Sequence, residues 1–270
     1  MERVKVLYIS QEITPYLPES EMSVIGRYLP QGIQERGREI RTFMPRFGCI
    51  NERRNQLHEV IRLSGMNLII NDTDHPLIIK VASIQSARMQ IYFIDNEDFF
   101  HRKATVADEN GNLFPDTDER IIFFARGVLE TVKKLRWAPD IVHCHGWFCS
   151  IVPIYLKKAY HEDPFFAHSK VIFSIYNNSF EGTINPQLAE KVLFEEVEPE
   201  DVTLLREPTY NNLTKFAVQY SDGIIFGSQQ INPEIEEFVK KSGKPVLPFQ
   251  TLETYIDEYS KFYDQLLEKK

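Results

Sequence analysis

Positive charge is scarce in this chain: 31 lysines and arginines stand against 39 aspartates and glutamates, a formal net charge of −8. Nucleic-acid binders present a basic face or stripe. Here the cations are scattered, and the densest are isolated pairs such as Arg53-Arg54, Lys133-Lys134, Lys157-Lys158 and Lys240-Lys241. That pattern argues against a nucleic-acid partner. Cysteine is scarce too, and Cys49, Cys144 and Cys149 give no disulfide framework. No apolar run approaches the length of a bilayer crossing, and the stretch from Val6 to Ile9 is too short for a signal peptide. Internal repeats, low-complexity tracts and flexible linkers are also missing. The expectation is a cytoplasmic protein without membrane contact. What is present is ordinary globular material, 43% hydrophobic and 26% charged over 270 residues, enough to bury a substantial core.

The order of elements predicts an α/β domain. Val4 to Ser10 reads as a short apolar strand. Ser23 to Arg36 has helical spacing through Ile25, Leu29 and Ile33, and Glu39 to Met44 is a strand stopped by Pro45. A strand, helix, strand unit of this kind requires parallel pairing. Residues Glu59 to Ile94 alternate on a shorter period, with turn signals at Asn71-Asp72 and at Asp74-His75-Pro76, and predict a hairpin insertion before the strand Gln90 to Ile94. Asp118 to Leu135 is a long helix. Strands follow at Asp140 to His143, Lys170 to Ile175 and Gly223 to Phe226, with helices at Ile151 to Ala159, Asn211 to Gln219 and Glu234 to Lys241. The expected architecture is a single doubly wound, Rossmann-like, mostly parallel sheet with helices on both faces.

In such sheets ligands bind beyond the carboxyl ends of the strands, near the point where strand order reverses. Polar and aromatic residues gather at the ends of the strands closing at Ile9, Ile94, His143 and Ile175. Glu12 follows the first. Asp95 follows the second, where it contacts a ligand or caps the turn, the turn being the preferred role. His143 and His145 alternate and so share a face of their strand. Cys144 points to the other face and the segment is too short to wrap a tetrahedral ion, so no metal is expected. His145 is read as a ligand contact or as a structural hydrogen bonder, and Trp147 as a stacking platform or a packing residue, with packing preferred. Tyr176 and Asn177 follow the fourth strand, where an asparagine ties a turn or binds ligand.

Residues 139–150, Pro-Asp-Ile-Val-His-Cys-His-Gly-Trp-Phe-Cys-Ser, resemble the Pro-Asp-x-x-His-x-His-Asp-Trp-His motif of the bacterial glycogen synthase and plant starch synthase family, retaining glucosyltransferases of the GT-B fold. Pro139, Asp140, His143, His145 and Trp147 match. Gly146 stands at the family's aspartate position and Phe148 at its active-site histidine. The loop from Ser10 to Pro30 is similar to the family's first βα loop in Glu12, Pro15, Leu29 and Pro30. Its Lys-Thr-Gly-Gly segment falls on Pro18-Glu19-Ser20-Glu21, where two carboxylates would repel a diphosphate. A helix N-terminus capped by Ser20 or Ser23 is the alternative account of that segment. Residues 173–182 resemble Thr-x-His-Asn-x-x-Tyr-Gln-Gly, with Asn177 and Gly182 matching and Tyr176 in place of the histidine. The stretch Ile91 to Arg102 and the helix start Asp118-Glu119-Arg120 also follow the family in order and spacing.

The resemblance implies a glucosyl transfer fold whose second domain would carry the nucleotide site. The chain is expected to comprise residues 1–245, the family's acceptor-side half, and residues 246–270. The latter carries an amphipathic helix with Tyr255, Tyr259, Phe262, Tyr263 and Leu266 on one stripe, packing back on the domain as the family's last helix does. With Gly146 and Phe148 at two functional positions, no catalytic residue and no cofactor are expected. The implied role is a glucan-binding or regulatory homologue that contacts a glycogen-like α-glucan through His145, Trp147, Tyr176, Asn177, Glu12 and Asp95. The alternative is a half-enzyme completed in trans by a separate nucleotide-binding domain, and a third reading is a structural remnant that only forms homo-oligomers. Binding of a nucleotide-glucose, ADP- or UDP-linked, is not expected of this half.

Overall fold

Strand β1 (Lys5–Ser10) lies in the middle of the sheet and is buried on both faces: Leu7 and Ile9 point into one core, Val6 and Tyr8 into the other. Only a strand covered by helices on both sides can be apolar at every position. The computed structural model describes residues 3–268. The strands are β2 (Glu39–Pro45), β3 (His58–Glu59), β4 (Met66–Ile70), β5 (Thr73–Ile84), β6 (Met89–Asp95), β7 (Ile141–His145), β8 (Lys170–Ile175), β9 (Gly223–Phe226) and β10 (Val246–Leu247). Their spatial order is β10-β9-β8-β7-β1-β2-β6-β5-β3, with β4 paired to β5. Pairing is parallel from β10 through β6 and antiparallel in the insertion. The chain leaves β1 towards β2 and later returns to β1's other side as β7, so the switch point lies between β1 and β7.

Helices α1 (Glu21–Glu35) and α8 (Tyr255–Glu268) share one face of the sheet. The other face is covered by α3 (Thr117–Lys134), α4 (Val152–Lys157) and α6 (Tyr210–Gln219), with the short α2 (Glu97–Phe100) and α5 (Leu188–Lys191) and the peripheral α7 (Pro233–Lys241). The predicted stripe of α8 is its buried side: Tyr255, Tyr259, Phe262, Tyr263 and Leu266 are each at most 4% exposed. Full burial of side chains this size stabilises by about 1.5–3 kcal/mol apiece. Close approach to α1 depends on Gly32, where an added Cβ would lie 2.6 Å from Ile256.

The hairpin insertion forms as β4 and β5, joined through Asn71 and Asp72, which take positive φ of 50° and 58°. A two-residue turn with both centres left-handed matches the twist of the flanking strands. The second expected turn, Asp74-His75-Pro76, is instead part of β5. Pro76 has no N–H to lose to a ladder, and it sits just before β5 changes partner from β4 to β6. Residues 246–247, ahead of the expected amphipathic helix, add β10 as a short parallel edge strand on β9. No helix among the described residues is long and apolar enough to cross a membrane.

Candidate functional site

The carboxyl ends of β1, β7, β8 and β9 meet the start of α1 and the approach to α8, and the polar residues noted in the sequence divide there into a buried set and an open set. His143 and His145 are 0% exposed, with ring centroids 3.9 Å apart. The Tyr263 hydroxyl donates to Tyr8 at 3.3 Å, which leaves His143 Nδ1–H to donate to Tyr263 at 2.7 Å and Nε2 to accept from Ser174 at 2.7 Å. His145 Nδ1 lies 2.8 Å from the Tyr176 hydroxyl, and its Nε2 has no partner among the described residues. Burial favours the neutral imidazole. It lowers His143 well below the usual histidine range, with the neighbouring His145 adding to the effect, and takes His145 down to about 3. Both rings are therefore neutral and structural: His143 links the sheet to α8 through Tyr263, and His145 links β7 to Tyr176 at the end of β8. Tyr176 is part of the same seam, and burial raises its phenol well above the ordinary value.

Gly146 and Phe148 face elsewhere. Gly146 has φ +86°, and a Cβ there would fall 2.6 Å from Met22 Cε and 2.9 Å from Gln11 Oε1. The Gln11 carboxamide fills that space and accepts from the Phe148 N–H at 3.1 Å. A side chain at position 146 is strained by the positive φ, and the ends of the Met22 and Gln11 side chains would have to move aside for it. Phe148 is fully buried in the opposite core, 5.5 Å from the Phe47 ring and 5.7 Å from both the Phe124 ring and the Arg120 guanidinium. Trp147, 3% exposed, packs edge-on against Phe180 at 4.7 Å.

Asp95 is 2% exposed, with Arg46 at 2.9 Å and Lys80 at 2.8 Å. The cap of α2 is its neighbour Asn96, whose side chain accepts from the Asp98 and Phe99 N–H groups. Neither role expected for Asp95, sugar contact or turn cap, is the one it plays. Its carboxylate neutralises two cations that arrive from elsewhere, Arg46 just past β2 and Lys80 on β5. Glu12 accepts from Ser20 at 2.7 Å, and Ser20 caps α1 through a reciprocal box with Ser23. The carboxylates at the start of that helix suit its dipole.

The open set lines two adjoining depressions. One, of about 390 Å³, has Glu19 and Glu21 at its rim and Val24, Ile25, Phe249 and Tyr259 on its walls, and no lysine or arginine lines it. The other, of about 210 Å³, gathers Asn177, Ser179, Gln230 and Asn232 around Tyr176 and Tyr210. They are tied together by Ser228, which accepts from the Asn177 N–H at 2.9 Å and donates to Glu21. Of the residues singled out in the sequence, only Asn177 is exposed in this cleft, with Glu12 half-buried beside it. Gln230, Asn232, Phe249 and Gln250 were missed, since they lie in irregular segments whose position periodicity does not reveal. No group of described histidines, cysteines and acids could hold a metal ion.

The family described as the starch synthase catalytic domain matches residues 5–244. The chain belongs to the starch synthase catalytic-domain family. It is 39% identical to the glycogen synthase of Chlorobium luteolum over 194 residues, 72% of this chain and 40% of that one. It is 36% identical to the glycogen synthase of Chlorobium phaeovibrioides over 233 residues, 86% of this chain and 47% of that one. This member of the starch synthase family thus spans less than half the length of those two relatives. Its fold is also that of the catalytic domain of starch synthase IV from Arabidopsis thaliana, solved with ADP and acarbose. The TM-score is 0.74 at 15% identity, covering 93% of this chain and 52% of that one. In this member of the starch synthase family His143 and His145 are buried and hydrogen-bonded, Gly146 lies in a left-handed turn and Phe148 in the core.

Proposed function

We propose that this chain recognises α-glucan at the carboxyl-edge cleft and does not transfer glucose by itself. The observation that carries the reading is the rim of the larger depression, where Glu19 and Glu21 flank the capped start of α1 and no cation lines the wall. A leaving diphosphate needs positive charge where its own charge develops, and two carboxylates oppose it. A hydroxyl-rich oligosaccharide has different needs. Its hydroxyls donate to carboxylates and to the carboxamide oxygens of Asn177, Gln230 and Asn232, while its apolar faces lie on Phe249 and Tyr259. Of the ADP and acarbose held by the plant relative, this cleft suits the oligosaccharide. Asn177 and Glu12 remain the contacts proposed from the sequence. His145, Trp147 and Tyr176 shape the cleft from beneath.

A second reading, in which a separate nucleotide-binding domain completes the site in trans, is favoured by apolar surface on the cleft side, where Leu252 is 69% exposed beside Phe249. Glycogen co-sedimentation of the purified chain, run beside glucose incorporation from ADP-glucose and UDP-glucose, separates the readings. Retention without incorporation is expected. Incorporation by the chain alone overturns the non-transfer reading. Failure to co-sediment overturns glucan recognition. Incorporation only after adding the nucleotide-binding half of a related glycogen synthase establishes completion in trans.

A further inference from the structure

We propose that a second pocket, at the opposite edge of the sheet from the cleft, binds a phosphate monoester carried on a small sugar or polyol. It has a volume of about 360 Å³ and lies among the start of β2, the end of β5 and the start of β6, with the end of α1 closing one side. Arg41, Arg88, Gln34, Gln85, Gln90 and Tyr92 carry its polar lining. No carboxylate lines it, in a chain with 39 acidic residues against 31 basic ones.

The two arginines are placed without an anionic partner. Arg41 Nη1 donates to the Tyr92 hydroxyl at 2.9 Å, and its guanidinium lies 5.2 Å from the Trp137 ring and 5.9 Å from the Tyr92 ring. Its Nε is buried and has no hydrogen-bond partner among the described residues. Neither Arg41 nor Arg88 forms an ion pair with a described carboxylate. Glu39, on the same face of β2, is instead engaged by Trp137 Nε1 at 2.5 Å. Arg88 follows the 3-10 turn Gln85–Ala87 in a left-handed conformation, φ 50° and ψ 39°. A backbone held this way is uncommon for a long side chain, and it sets Arg88 at the rim opposite Arg41.

Guanidinium forks match phosphate oxygens in pairs, and a fork already pinned by stacking loses little freedom on binding. Three carboxamides supply both donors and acceptors for hydroxyl groups, which a bare phosphate would not use. The volume lies at the small end of the range for organic ligand sites, which fits a monosaccharide phosphate better than a nucleotide. The pocket is at the amino ends of β2 and β6, whereas the cleft lies at the carboxyl ends of the parallel strands. A ligand here therefore does not compete with glucan.

Calorimetric titration of the full chain with glucose 1-phosphate, glucose 6-phosphate, inorganic phosphate and glucose tests the assignment. Saturable binding of at least one hexose phosphate is expected, at least tenfold tighter than inorganic phosphate, with no heat from glucose. Arg88→Ala, at an exposed position, is expected to weaken that binding at least tenfold and to leave glycogen co-sedimentation unchanged. Arg41→Gln is expected to do the same, and if it disturbs the Trp137 stack, Arg88→Ala alone decides. Absence of saturable binding to either hexose phosphate overturns the proposal. So does inorganic phosphate binding as tightly, or an R88A variant with unchanged affinity.

Discussion

The imidazoles of His143 and His145 lie 3.9 Å apart, centroid to centroid, in the seam where α8 closes on the sheet. Both are buried and neutral, and each leans on a tyrosine hydroxyl, Tyr263 for the first and Tyr176 for the second. In an unfolded chain each would titrate near the ordinary value of about 6.5. A histidine whose folded pKa is depressed takes up its proton first in the unfolded state. Stability is therefore intact above about 6.5 and falls as pH drops from there towards the folded value. For His145, with a folded value of about 3, the loss at pH 5 is roughly 2 kcal/mol. Urea unfolding at pH 7.5 and pH 5 reads this directly, and H145F is expected to flatten the slope between them.

Removing one hydroxyl from the seam isolates its contribution. Tyr263→Phe keeps the ring in place and strips His143 Nδ1 and the Tyr8 hydroxyl of their shared partner. A buried donor left unmet costs about 1–3 kcal/mol. Denaturant midpoints for Y263F and the parent should differ by that amount, and an unchanged midpoint would show that the seam's hydrogen bonds carry no net stability.

Restoring the family residue should not restore chemistry. Phe148→His puts an imidazole among Phe47, Phe124 and the Arg120 guanidinium, 0% exposed and away from the cleft. An unpartnered polar ring in an apolar site costs about 2–4 kcal/mol, and the adjacent cation adds to the penalty for protonating it. The expected result is a lower melting temperature with no gain in glucose incorporation. Measurable transfer by F148H would mean that the turn at residues 147–149 can reorient towards the cleft.

Asp95→Asn separates a structural carboxylate from a ligand contact. Arg46 and Lys80 would both lose their buried carboxylate and keep only the more exposed Glu52, at 3.5 Å and 2.7 Å. Breaking a buried ion pair from one side costs about 3 kcal/mol at the lower end of such effects. Thermal unfolding should show the loss, and glycogen retention measured below the melting temperature should not move.

Cleft variants should do the reverse. Asn177 is exposed and Gln250 half-buried, so N177A and Q250A are expected to leave the melting temperature within a degree or two, small as surface substitutions are. Each removes one hydrogen-bonding carboxamide, worth about 1 kcal/mol, and should lower glycogen retention several-fold. Equal retention in both variants would move the glucan contact away from this edge.

Much of the fold was legible in the sequence because its strands and helices repeat on periods that burial imposes locally. β9 falls on Gly223 to Phe226 as expected, and the stripe Tyr255 to Leu266 is buried as a stripe. The positive-φ turn at Asn71 and Asp72 was visible for the same reason, since those residue types suit it. Pro76 misled, because a proline signals a turn unless tertiary pairing gives it a place at a strand's change of partner.

The sequence by itself determined the family: the order and spacing of Pro139, Asp140, His143, His145 and Trp147 are properties of a chain and survive without coordinates. Phe148 and Gly146 fall where the motif the chain resembles has a histidine and an aspartate, an expectation drawn from the same spacing. Only the tertiary structure decided what those positions face. Met22 of α1 and Gln11 of the loop before it crowd the left-handed Gly146, Arg120, Phe47 and Phe124 enclose 148 together with Trp147, and Tyr259 and Tyr263 of α8 pack on His143. Exposure depends on neighbours hundreds of residues away in the chain, such as Tyr263 against Tyr8, and no local pattern encodes it. For that reason the polar motif read from the sequence became a buried seam, and the open cleft fell to Asn177, Gln230, Phe249 and the two glutamates beside Ser20.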